Sequence, residues 1–429
     1  MLRSMYSGIG GMRNFQTKLD TIGNNISNVN TFGFKKGRTT FKDLVSQQLS
    51  GASTAGDNRG GTNPQQVGLG SSLASIDTIH TQGSLQTTGR DLDMGISGDG
   101  FFVVNDGDQS YYTRAGNFYL DEQGNLVNSD GLRVQGYGVD GDGNIDEGAG
   151  FGDLEITAGS LMAPQATGNA QFRGNLNADY VSGTALGNND YSEQEIRDLI
   201  EGSGTVVPYS VVDSLGRVHD LDLVFQKTGE NEWQVGSLLF DEDENEYTFT
   251  ELASDLSFNN DGSFNDVDID QLVIGGTDGS DDLAIDIDLS RMSQFARNTT
   301  ADISNVDGNM DGTLESYNIS ETGEINGVFS NGEVRLLGQI GLANFNNPGG
   351  LSKSGDNLYA VSNNSGAPQL GFAGDGGRGT LTGAALEMSN VDLSEEFAEM
   401  IVSQRGFQAN TRMITTSDEI LQELVNLKR

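Results

Sequence analysis

The sequence predicts a mainly β, multidomain chain of antiparallel strands, flanked by two long terminal α-helices that form a coiled-coil-like pair. Three observations predict it. An apolar stripe at helical spacing marks each end, period-two runs fill the space between, and 60 glycines stand against five prolines in 429 residues. That much Gly without a three-residue repeat implies many tight turns between short strands. A chain this long exceeds a single core and suits two or three domains.

The first stripe is Leu2, Met5, Ile9, Met12, Phe15, Leu19, Ile22, Ile26 and Val29. Every step is three or four residues, which places them on one helix face. The helix should end near Asn28–Gly33, where Asn and Gly favour turn geometry. The second stripe is Leu393, Phe397, Met400, Phe407, Ile414, Leu421 and Val425, a heptad whose remaining seam positions are Gln404, Thr411 and Asp418. Asp392 followed by Glu395 makes a capping start. Each helix would be about 40 Å long. Both are terminal and seam-like, which favours helix–helix or intersubunit packing over burial on a private domain.

Between them the period is two. Leu283, Ile285, Ile287 and Leu289 alternate with Asp282, Ala284, Asp286 and Asp288, and Leu221, Leu223 and Phe225 with Asp220, Asp222 and Val224. One charged face marks half-exposed antiparallel strands. Asp106-Gly107, Asp130-Gly131 and Asn331-Gly332 are turn signals between runs. Residues 50–70 carry little apolar content and read as an extended connector.

The net charge of −38 argues against nucleic acid, which needs clustered Lys and Arg. The acid is concentrated: residues 171–330 hold 33 acidic and 6 basic residues, whereas residues 1–40 hold six basic residues and one acidic. The ends and the middle therefore do different work. With no cysteine, disulfides and Cys-ligated zinc are excluded. No apolar run is long enough to insert in a membrane, and Arg3, Arg13, Lys18 and Asp20 interrupt any secretory signal.

Candidate chemistry is thin. Asp140, Asp142, Asn144 and Asp146 suggest a calcium loop, but its sixth and twelfth positions are Ile145 and Phe151 where Gly and Glu are needed. Asp307, Asn309, Asp311 and Gly312 come closer, with Asn318 at the twelfth. Asx-rich hairpin turns account for both. Asp266, Asp268 and Asp270 read as a solvated strand face. Ser214 and His219 lack a third, orienting group, and His80 is isolated. No cofactor, metal or catalytic site is expected.

The run Asn24-Asn25-Ile26-Ser27-Asn28-Val29-Asn30-Thr31-Phe32-Gly33-Phe34-Lys35 resembles the signature of flagellar axial proteins, the rod and hook subunits. So does Ser389-Asn390-Val391-Asp392-Leu393 through Gln404-Arg405-Gly406-Phe407 to Leu424-Val425-Asn426-Leu427. Residues 96–137, with Ser97-Gly98-Asp99-Gly100-Phe101-Phe102 and Arg114-Ala115-Gly116-Asn117-Phe118, are similar to the β domain these proteins share. The large middle, with Val212-Asp213-Ser214-Leu215-Gly216-Arg217, resembles the hook branch of that family.

The resemblance implies a division into an N-terminal helix (1–32), an extended connector (33–75) and the first part of a shared β domain (76–164). An inserted acidic outer β domain (165–300), the second part of the shared domain (301–389) and a C-terminal helix pairing with the first (390–429) follow. It also implies a structural subunit that is no enzyme and that self-assembles into a tube. Its further partners would be the hook cap, distal rod and hook–filament junction proteins. Export would run through the flagellum's own channel, with no cleaved signal. A distal rod protein is the nearest alternative; a secreted acidic β-rich binding protein or hydrolase is a more distant one.

Overall fold

The computed structural model describes residues 2–52, 54, 59–140, 143–146, 148, 150–157, 159–241, 246–265, 269–276 and 279–427. The side chains of residues 2, 3, 241 and 424 lie outside that description. Two compact units divide the chain. One comprises Met1–Ala158, Tyr317–Gly327 and Arg335–Arg429, the other Gly159–Ser316 and Val328–Val334.

The first unit holds both terminal helices, α1 (Leu2–Ser27) and α3 (Leu393–Asn426). The Asp392 carboxylate caps α3 by accepting from the backbone N–H of Ser394 at 2.8 Å, satisfying a donor the helix cannot. The segment expected to be an extended connector instead forms two successive antiparallel strand pairs, a β ribbon. Strand β1 (Gly37–Asp43) pairs antiparallel with β4 (Ser71–Thr78), and β2 (Ser46–Ser50) with β3 (Gln65–Gly68). Its polarity hid it: Thr, Ser and Gln dominate, and its few large apolar residues, Phe41, Leu49, Val67, Leu73 and Ile76, are exposed. It is held by cross-strand bonds such as Thr40 Oγ1 to Ser75 Oγ at 2.6 Å, and against α1 by Asn14 Nδ2 donating to Ser71 Oγ at 2.8 Å.

The remaining strands of this unit form one larger antiparallel sheet and small pairs. After β5 (Leu85–Thr87) and β6 (Met94–Ser97), β7 (Phe101–Asn105) pairs with β8 (Ser110–Thr113) and with strands Arg133–Tyr137 and Val334–Asn344. C-terminal strands close it: Thr380–Gly383 pairs with β6, and Ala385–Glu387 with β5. Phe101, Val103, Tyr112, Ala343, Phe345 and Tyr359 form one buried cluster. At roughly 1.5–3 kcal/mol per fully buried large apolar side chain, such clusters hold the larger sheet together.

The second unit carries a five-stranded sheet in the order Asp190–Tyr191, Glu246–Ser257, Glu232–Asp241, Val218–Gly229, Gly204–Val212. A four-stranded sheet runs Leu272–Ile274, Leu283–Phe295, Asn169–Asn177, Asp302–Val306. The predicted alternation is visible: Leu283, Ile285, Ile287 and Leu289 are buried with Leu221, Leu223, Phe225 and Trp233 in one core. Three details depart from expectation. Asn169–Asn177 pairs parallel with Leu283–Phe295, because the long excursion between them serves as a crossover. A short helix, α2 (Glu193–Ile200), sits in what read as pure β, started by a Ser192/Glu195 capping box and burying Ile196 and Ile200. The unit also exceeds the expected 165–300, because Asp302–Val306 pairs with Asn169–Asn177 and belongs to its sheet.

Candidate assembly interface

Helices α1 and α3 pack antiparallel along a seam in which glycines and small polar residues stand among apolar ones. A side-chain carbon at Gly8 would lie 3.4 Å from Ile414 Cγ1, one at Gly11 2.9 Å from Asn410 Nδ2, and one at Gly406 2.5 Å from the Phe15 ring. Each missing side chain lets the facing one nest closely. Lys18 pairs with Glu399 at 3.1 Å, and Asn25 Nδ2 donates to Glu396 Oε2 at 3.2 Å.

This corrects the expected seam. On α1, Met5, Ile9, Met12, Phe15, Leu19 and Ile26 are half-buried and Ile22 is buried; Val29 lies in the turn beyond the helix, and the Leu2 side chain lies outside the described residues. On α3, Met400, Ile414 and Leu421 are half-buried. Leu393, Phe397, Phe407 and Val425 are exposed instead, as are Gln404, Thr411 and Asp418. The second row of the heptad is Glu396, Ser403, Asn410 and Ser417, one residue earlier than the row read from hydrophobicity. Small residues facing glycines pack well without being apolar, so an apolar count misplaces the row. The glycines themselves, Gly8, Gly11 and Gly406, were the available signal.

The N-terminal motif residues converge on the C-terminal strands. Gly33 has φ +70° and donates its N–H to the Glu387 carbonyl at 2.8 Å; a Cβ there would meet Ala115 N at 2.5 Å, so both conformation and space require Gly. The Lys35 ammonium, wholly buried, pairs with Glu387 Oε1 at 2.6 Å and donates to the Thr81 carbonyl at 2.9 Å. Arg114 meets Glu387 Oε2 at 3.3 Å, and Gly83 N–H donates to Oε1 at 2.8 Å. Burial pushes the Lys35 and Arg114 pKa values down against the pull of Glu387. Glu387 is thus the unpredicted centre of the motif; its signal was a lone charge in an apolar strand.

Other motif residues tie off chain ends. Asn390 donates to the Ile79 carbonyl at 2.8 Å and accepts from Lys36 N–H at 2.8 Å. Asn25 exchanges two 2.9 Å bonds with the Gly37 backbone. Asn28 Nδ2 donates to Asn24 Oδ1 at 2.8 Å and Thr31 to Asn28 Oδ1 at 3.2 Å, closing α1. The ring of Phe34 lies 5.3 Å from Lys353 Nζ. Asn30, Gln404 and Arg405 are exposed.

The candidate chemical sites are turns and packing. Asp140 and Asn144 close a hairpin through a 2.8 Å backbone bond, with Asp142 outside the described residues. Asp307 binds Gly168 N–H, Asn169 N–H and Asn169 Nδ2, each at 2.8 Å. Asp266 and Asp268 lie outside the described residues. His219 faces Asp213 at 3.4 Å, while Ser214 Oγ accepts from Asp281 N–H at 3.1 Å, so the two form no relay. His80 packs between Phe101 and Tyr359; burial, reinforced by Lys35, Arg114 and Lys353, pushes its pKa down to about 4. Among the described residues, no helix is long and apolar enough to cross a membrane, and no His, Asp and Glu group is placed to hold a metal.

What remains is surface. On α3, Phe397 is 49% exposed, Ile401 58%, Val402 63% and Val425 68%; on α1, Tyr6 is 73% exposed. Large apolar side chains this exposed along one helix mark it as a contact surface.

Comparison with known families fits the geometry. Residues 5–35 match the description "Flagella basal body rod protein", 95–165 "Flagellar hook protein FlgE/F/G D1 domain", 203–309 "Flagellar basal body protein FlaE D2 domain", and 382–427 "Flagellar basal body rod FlgEFG protein C-terminal". The chain is 42% identical over 456 residues to the flagellar hook protein FlgE of Borreliella burgdorferi, covering 100% of both chains. It is 39% identical over 471 residues to that of Treponema pallidum, with the same coverage. It is 36% identical over 430 residues to the flagellar basal-body rod protein FlgG of Bacillus subtilis, again across both whole chains. The crystal structure of Helicobacter pylori flagellar hook protein FlgE2 matches with a TM-score of 0.54 at 16% identity, over 71% of this chain and 100% of that one, a likeness of fold alone.

Proposed function

This chain belongs to the flagellar hook protein family and is a structural subunit of the hook, and we propose that it polymerises head to tail into a flexible hollow tube passing torque from rod to filament. The observation that carries the reading is the terminal helix pair. Its seam sets Glu396, Ser403 and Asn410 beside Met400, Ile414 and Leu421, which leaves Phe397, Ile401, Val402 and Val425 of α3 exposed. Such a face is buried only by further copies, and head-to-tail contacts that do not close give an open helix.

The work is mechanical. A bent rotating tube must shorten on its inner side and lengthen on its outer side each turn. The acidic, Gly-rich second unit supplies surfaces that slide at small cost, while the helices hold the wall together. The role is structural. The partners are other copies, the hook cap, distal rod and hook–filament junction proteins at the ends, and the flagellum's own export channel, which delivers the chain outside the cell. The assembly helices are α1 and α3, and the motif from Asn24 to Lys35, with Asn390 and Asp392, fixes them to the β domain.

Electron microscopy of the concentrated full-length chain tests this. Tubes are expected, and removal of residues 1–30 should abolish them. A truncated chain that still forms tubes refutes the assignment of assembly to the helices.

A further inference from the structure

Away from the seam, α3 carries a charged stripe that its own chain leaves without partners. Arg405, Arg412 and Glu419 recur at heptad spacing and Glu423 follows one turn later, so the four share a face. All four are exposed, and none makes a side-chain hydrogen bond or ion pair among the described residues. Neighbouring charges are engaged: Lys18 with Glu399 at 3.1 Å, Lys36 with Glu395 at 2.8 Å. The two arginines border a groove of about 570 Å³ whose wall includes Ala409, Met413 and Thr416.

The stripe is basic in its N-terminal half and acidic in its C-terminal half. Two parallel copies held level would set Arg over Arg and Glu over Glu. Sliding one copy along the axis converts repulsion into attraction. The shift runs from seven residues (Glu419 over Arg412) to eighteen (Glu423 over Arg405), roughly 10–27 Å.

We propose that Glu419 and Glu423 of one copy dock in the Arg405–Arg412 groove of a second copy displaced along the helix axis, and that this stripe sets the axial stagger. The inference rests on the polymer reading above. It adds a reason why copies do not assemble as level rings: the contact is heterologous, and its like-over-like register is disfavoured. An antiparallel pair would also match charge, but it is two-fold and closes as a dimer.

The test uses the full-length chain at one fixed low salt, in three forms: Arg405→Glu with Arg412→Glu, Glu419→Arg with Glu423→Arg, and all four together. All four sites are exposed, so monomer melting should be unchanged. Each double variant should raise the critical concentration for tubes about tenfold, since two weak attractions become two repulsions. The quadruple variant restores opposite charges in swapped places and should return to within about threefold of the parent. The proposal is overturned if either double variant assembles like the parent, if the quadruple variant is no better than the doubles, or if sedimentation shows the parent stopping at a closed dimer. A parent chain that forms no tubes at all refutes the polymer reading itself, and this inference with it.

Discussion

Replacing Glu387 by Gln keeps the shape of the side chain and removes its charge. The parent carboxylate receives Lys35 at 2.6 Å, Arg114 at 3.3 Å and Gly83 N–H at 2.8 Å, with all three ionic side chains at most 3% exposed. The amide leaves two buried cations facing a neutral group. Breaking a buried pair by removing one partner costs about 3–5 kcal/mol, a drop of roughly 6–20 °C in Tm for a domain of this class. Differential scanning calorimetry of the monomer measures it, and hydrogen exchange over residues 31–36 and 78–84 locates it.

Lys35 has a pKa already pushed below 10.5 by burial, so it can escape by losing its proton. Between its folded pKa and 10.5 the unfolded chain binds the extra proton, so stability rises with pH there. The deficit of the variant should therefore shrink as pH climbs through the alkaline range, without vanishing, because Arg114 keeps its charge. Adding Lys35→Met should recover part of the loss. A variant melting within about 2 °C of the parent at neutral pH would refute the claim that this carboxylate ties the motif to the sheet.

Three further outcomes follow. His80 is held at about 4 in the fold against 6.5 in the free chain; the unfolded chain binds its proton first, so stability falls as pH drops from about 6.5 to 4, by roughly 3 kcal/mol. His80→Phe should remove that component from a pH series of melts, and an unchanged slope would count against it. Gly11→Val puts carbon on Asn410 Nδ2, 2.9 Å from the first added atom; overpacking of about 1–3 kcal/mol should appear as lost helix signal in monomer circular dichroism, with the β signal intact. Residues 171–330 hold 33 acids against 6 bases, so neighbouring copies repel and parent tube yield should rise between low and moderate salt as the Debye length falls toward about 8 Å; pelleting assays that show a flat or falling yield contradict the repulsion.

Much of the fold was legible because it rests on periodicity. The α1 stripe and the alternation through Leu283–Leu289 are direct images of burial, and the α3 stripe marks a helix although Leu393, Phe397, Phe407 and Val425 of it are exposed. The ribbon of β1 to β4 was not legible because its strands are held largely by backbone pairing and Ser–Thr contacts, and its few apolar residues, such as Phe41, Leu73 and Ile76, are too sparse to set a clear alternation. The row Glu396, Ser403, Asn410 and Ser417 was hidden for a related reason: its members are polar, with Asn410 packed at Gly11 and Glu396 bonded to Asn25. Lys35 stood in a motif, but its partner Glu387 and the second cation on that carboxylate, Arg114, lie hundreds and tens of residues away, and charge complementarity at that distance has no local signature.

The same contrast explains how the helix pair can serve an assembly. A seam of large apolar residues would use up on the partner helix the surface that association requires, since burial is roughly proportional to area and cannot be counted twice. Here intrachain pairing uses part of the apolar surface, the α1 stripe with Met400, Ile414 and Leu421, and adds close approach at Gly8, Gly11 and Gly406 and a few polar ties such as Asn25 to Glu396. Phe397, Ile401, Val402 and Val425 remain available to other copies. The Lys35–Glu387–Arg114 network then anchors the pair to the sheet by directional contacts, which fix an orientation where apolar contacts would tolerate sliding. A chain that must present one apolar face to its neighbours at one angle needs that division between shape, charge and area.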